Sequence, residues 1–141
     1  MSNADQARKL ADLFANMAQS VDAYRSQHFE ELSPDDRARL EDCIQKLDDS
    51  HDKFTAVAIQ DTLNAIQDDL DRVVSVTTQA EQALKHLKTV AEISKVVSAA
   101  AELAMTIATA DYGAIPSAIQ DVVQAVQNDS TPGADKNPSS S

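Results

Sequence analysis

Three histidines, one cysteine and a dense set of carboxylates are the side chains of this sequence with the chemistry to hold a metal ion or move protons. His28 with Glu31, and Asp48 with His51, stand three residues apart, a spacing that puts both members of a pair on one face of a helix. Carboxylate-bridged metal bundles use such pairs, but they gather about four inward carboxylates and two histidines from different helices through Glu-x-x-His repeats. That order is absent here. In a helical hairpin turning at Leu32 to Pro34, moreover, His28 and His51 would stand about 20 Å apart along the helix axes. Each histidine is therefore read as a structural residue at a seam or bundle edge, and no metal or cofactor is expected.

The remaining chemistry-bearing residues give no catalytic pattern. Asp68, Asp69 and Asp71 beside Arg72 lack the glycine and the alternating oxygen ligands of a calcium loop, and read as a solvated helix face. With two glycines in the whole chain there is little backbone latitude for a phosphate cradle or an oxyanion hole. Cys43 cannot form an intrachain disulfide, and its spacing from Leu40 and Leu47 suits a half-buried helical position in a reducing, cytoplasmic compartment. Met1 to Lys9 lacks the apolar stretch of a secretory signal, so export by that route is not expected. Ser2-Asn3-Ala4 is assigned no role. The chain is expected not to be an enzyme.

The elements that must position these residues are helical. From Asp35 to Tyr112 there is neither glycine nor proline, and apolar residues recur every three or four positions. No strand pattern or solenoid repeat interrupts this, so the expected fold is all-α, an antiparallel bundle of four to five helices with long heptad-like seams. One domain is expected over residues 1–128. With only 4% aromatic residues, its core must be built from Ala, Val, Leu and Ile.

Ala7, Leu10, Phe14, Met17, Val21, Tyr24 and His28 form the first seam, predicting a helix over residues 4–31. Ser33-Pro34-Asp35-Asp36 has the cap serine, early proline and first-turn acids of a helix start, predicting a second helix over 34–49. The next seam, Leu40 to Ala58, is picked up one residue late at Ile59, and the polar run Asp48-Asp49-Ser50-His51-Asp52 is the expected joint. A third helix is expected over 51–88. It should turn at Lys88-Thr89, where Thr89 and Glu92 have capping-box spacing; Thr78 with Glu81 is a rival box for an earlier turn.

The segment 90–111 should be the most buried helix, with a polar stripe of Glu92, Lys95, Ala99, Glu102, Thr106 and Thr109 and small residues Ala100, Ala104 and Ala108 for close packing. Gly113 is the expected cap at its end. A last helix over 115–127 carries Ile115, Ile119, Val122, Val123 and Val126 on its apolar side, and 129–141 reads as a disordered tail.

Net charge is −11, and residues 30–71 hold 13 acids against four bases. Phosphate backbones and anionic lipid surfaces repel such a chain, so nucleic acid is not an expected partner and membrane adsorption is disfavoured. The expected function is protein–protein interaction or scaffolding. A protein partner of basic character, or a second copy, would be bound by helix-on-helix packing through seam residues such as Phe14, Val21, Tyr24, Leu63, Leu70 and Leu84. The alternative is a pore-forming-like protein that inserts the Ala-rich segment 90–110 into a membrane, a reading opposed by Glu92, Lys95 and Glu102.

Overall fold

A computed structural model describes residues 3–130 of the chain. These form six α-helices and one 3-10 turn, with no strand among the described residues: α1 Asn3–Gln27, α2 Pro34–Thr55, α3 Ile59–Ala65, α4 Gln67–Leu84, α5 Val90–Ala108, the 3-10 turn Tyr112–Ala114, and α6 Ile115–Ser130. The fold is an all-α helical bundle. Around it α1 packs on α2, α2 on α5, α5 on α6, α6 on α4, and α4 back on α1, with the short α3 closing one end against α1 and α5. A single cluster of buried aliphatic side chains with Phe14 and Phe54 fills the interior, where those two rings stack with centroids 5.7 Å apart.

Helices α1 and α2 run antiparallel, as the Arg25–Glu41 and Phe14–Phe54 contacts between them require. The closed ring also creates parallel neighbours. Asn3 meets Gln67 at the start of α1 and α4 (2.7 Å), and Tyr24 meets Lys88 past the end of α4 (2.7 Å), so these two helices point the same way. Asn3, assigned no role from sequence, thus ties α1 to the other half of the chain.

The joints differ from expectation in instructive ways. Helix α1 ends at Gln27, not residue 31, and hydrogen-bonded turns from His28 to Leu32 carry the chain to the next cap. There Ser33 accepts the Asp36 N–H as expected (3.1 Å). Asp48 to Asp52 is no joint: α2 continues to Thr55 because the acids at 48, 49 and 52 face water, while buried Ser50 donates back to the Lys46 carbonyl (2.8 Å) and so satisfies its hydroxyl within the helix. The break comes at Ala56-Val57-Ala58, where the seam slips, with Ala56 extended (φ −70°, ψ 137°).

The single helix expected over 51–88 is in fact the end of α2 followed by α3 and α4. Between the last two, Ile66 leaves helical geometry (φ −110°, ψ 27°) while staying 5% exposed, so burial of its side chain holds the kink. At the next joint, Thr89 accepts the Glu92 N–H and Glu92 accepts the Thr89 N–H, both at 3.2 Å, completing the capping box. The rival at Thr78 does not form; its hydroxyl donates to the Val74 carbonyl inside α4.

Helix α5 buries Val90, Ile93, Val96, Val97, Ala100, Leu103, Ala104, Thr106 and Ile107. The expected polar stripe is rotated at its end: Thr106 turns inward, its hydroxyl donating to the Glu102 carbonyl (2.8 Å), and Met105 is 46% exposed. Ala110, not Gly113, terminates the helix. Ala110 takes a left-handed φ of 58°, its N–H donates to Ile107 O (3.0 Å), and the Asp111 N–H donates to Thr106 O (3.0 Å), the paired bonds of a Schellman motif. Helix α6 buries Ile115, Ile119 and Val122, half-buries Val123 and Val126, and runs past the expected end to Ser130. Residues 131–141, within the expected tail, lie outside the described residues.

Candidate interaction surface

The seam residues expected to meet a partner belong to the chain's own core. Phe14 and Val21 are 1% exposed, Leu63 0%, Leu70 3% and Leu84 5%. A partner could reach them only by displacing the helices that already cover them, and in this structure they serve the chain's own packing. The physical reason is the ring closure: α1 packs on α2 with one side and on α4 with the other, which consumes both edges of its seam. Tyr24 is the exception, half-buried, with its ring against His28 (centroids 4.4 Å apart) and its hydroxyl donating to the Lys88 carbonyl. Partial burial first, then the nearby carboxylates of Glu31, Asp36 and Glu92, push the Tyr24 hydroxyl pKa up.

Accessible grooves lie on either side of α1. Between α1 and α4 a cavity of about 520 Å³ is bordered by Tyr24, His28, Leu84, Lys85 and Lys88. Glu81, 5% exposed, sits at its continuation, with one carboxylate oxygen 3.2 Å from the Lys85 ammonium and the other accepting from Gln82 (3.0 Å). A buried carboxylate so paired is satisfied in place.

Between α1 and α2 the groove is of a different kind. Two cavities of about 300 and 360 Å³ meet at half-buried His51. Their floor is small, with Ala7, Ala11 and Ala18 buried and Ala15 half-buried, and their rim carries Asp12, Asp22 and Asp48. Of this stripe only Ala7 belongs to the seam read from the sequence; the steps of three and four from Ala4 through Ala18 run beside that seam, where larger residues carry the stronger apolar signal.

The two histidines considered for metal sites lie apart, as helical geometry demands. His28 Nδ1 is 2.9 Å from Glu31, and His51 Nδ1 is 3.3 Å from Asp52, not from Asp48. Among the described residues no group of three or more His, Cys, Asp or Glu is placed to hold a metal ion. Cys43 is 2% exposed; burial pushes its thiol pKa up, against a hydrogen bond with Ser94 that pulls it down.

The acids of 30–71 are mostly outward. Glu41 pairs with Arg25 (2.8 Å), Asp42 with Lys46 (3.3 Å) and Asp69 with Arg72 (4.0 Å), whereas Asp35, Asp48, Asp61, Asp68 and Asp71 make no ion pair with the described residues. No protein family, curated protein or solved structure matches this chain. No helix among the described residues is long and apolar enough to cross a membrane. In α5, the segment considered for insertion, Glu92 is engaged in the cap and Lys95 and Glu102 face water.

Proposed function

We propose that this chain is a non-enzymatic interaction bundle that binds a protein partner of basic character through its acidic outer surface. The observation that carries this reading is the contrast between a well-filled apolar interior and outward carboxylates at 35, 48, 61, 68 and 71 that make no ion pair among the described residues. With the seams internal, recognition must rest on charge and on surface grooves. Complementary charge speeds encounter and rejects like-charged partners, while the contribution of each exposed pair to affinity is modest. The net charge of −11 also sets copies of the chain against each other, which favours a hetero-partner over self-association.

Titration of the protein into fluorescently labelled polylysine and polyglutamate, at low and high salt, tests the reading by anisotropy. Saturable binding of polylysine that weakens with salt is expected, with none to polyglutamate. Equal binding to both polymers, or to neither, refutes it.

A further inference from the structure

The groove between α1 and α2 combines a floor and a rim that suit one kind of occupant. Its alanines recur from Ala4 to Ala18, about 21 Å of helix at the usual rise, and small side chains let a third helix approach the pair closely. Ile44 lies half-buried along one stretch, and Val57, 84% exposed, stands at the open end beside Phe54. Among the described residues Val57 is left open and Ile44 only partly covered, so both are aliphatic contact points. On the rim Asp12 and Asp48 have no ion pair with the described residues, and Asp22 stands 3.6 Å from Arg25. Among the described residues Arg8 is the one Lys or Arg in the lining, and it already faces Asp5 (3.8 Å).

The groove on the other side of α1 has the opposite character. It is bordered by Lys85 and Lys88; the carboxylate that lines it among the described residues, Glu81, is buried against Lys85, and Glu31 is held at its edge by His28. A cationic helix is therefore accepted on one side of α1 and opposed on the other.

We propose that the α1–α2 groove seats an amphipathic helix of a protein partner, about four turns long, with small or aliphatic residues on the alanine floor and lysine or arginine against Asp12 and Asp48. This rests on the reading of the chain as a binder of basic partners, and assigns that binding to one groove. It follows the helix-in-groove mode, in which apolar anchors give contact and rim charges give orientation.

The test is a titration of the isotopically labelled protein with a synthetic helical peptide of lysine, alanine and leucine, followed by amide NMR shifts. Shifts are expected at Ala11, Ala15, Ile44 and His51. The double variant D12N/D48N should weaken the peptide about tenfold, as two rim charges of modest individual strength would. The same charge change placed elsewhere, D68N/D71N, should alter affinity by less than about twofold. Ala15→Arg, with folding checked by circular dichroism, should abolish binding. If the peptide binds but D68N/D71N weakens it as much as D12N/D48N, or Ala15→Arg leaves it intact, the groove assignment falls and the basic-partner reading stands. If the peptide does not bind at low salt, both fall.

Discussion

Moving one glycine by three residues should make this protein more stable. Ala110 holds a left-handed backbone (φ 58°) to close the Schellman motif at the end of α5, a conformation in which the Cβ of an L-residue crowds its own carbonyl at about 1–2 kcal/mol. Gly113 has no such need. Its φ is not positive, and a Cβ added there would meet nothing within 4 Å. The double variant A110G/G113A keeps the composition of the chain, so the extra unfolded-state freedom gained at 110 is matched by that lost at 113. What is left is the relief of strain at 110. The expected gain is about 1–2 kcal/mol, or a rise in Tm of roughly 3–8 °C for a domain of this size. The single variants divide the effect: G113A should add about 0.4–1 kcal/mol through the unfolded chain, and A110G about 0.5–1 kcal/mol after its entropic penalty. Urea unfolding of the four proteins in parallel gives all of these differences. A double variant no more stable than the parent would refute the strain argument, as would a loss of stability in A110G alone.

Other consequences are equally measurable. Phe14→Ala removes a ring that is 1% exposed and stacked on Phe54, and should cost about 3–5 kcal/mol in urea unfolding, with little change in the m-value. Thr89→Ala breaks the capping box of α5 and should cost about 1 kcal/mol, whereas Thr78→Ala, whose hydroxyl bonds only within its own helix, should change stability by less than about 0.5 kcal/mol. The thiol of Cys43 and the hydroxyl of Tyr24 both have pKa values raised by folding, which favours their protonated forms in the native state. Their contribution is therefore fully present below the unfolded-state values of 9.0 and 10.0 and is lost as pH rises through the higher folded values. Thermal scans should show Tm falling above about pH 9, and Tyr24→Phe should flatten the upper part of that fall.

The helices were legible in the sequence because their signals are local. Thr89 with Glu92, and Ser33 with Pro34, cap helices through atoms three residues apart, and both caps form as read. The misplaced joint at Asp48 to Asp52 shows where local reasoning stops. A polar run favours a turn only if its side chains compete for the backbone, and here three carboxylates face water while Ser50 is held within the helix. The kink at Ile66 and the left-handed Ala110 carry no local mark, since ordinary residues occupy them and tertiary packing decides their geometry. The interaction surface was harder still. Apolar periodicity marks which face is buried but says nothing about what buries it, so Leu63 and Leu70 read alike whether they meet α1 or another protein. The alanine stripe of α1 gains meaning only beside α2 and the unpaired Asp12 and Asp48.

The parallel pairing of α1 and α4 imposes an order on the birth of the molecule. Helix α1 meets its antiparallel neighbour α2 across a short connection, through contacts such as Arg25 with Glu41, 16 positions apart. Its other flank must wait for residues 64 positions later, when Tyr24 can reach Lys88. Closing so long a loop is entropically late, and the ring cannot shut until it happens. Through that interval Leu63, Leu70 and Leu84 have not yet met all the helices that will cover them. The same seams that are silent in the finished protein are the apolar surface that a chain with its ring still open would expose.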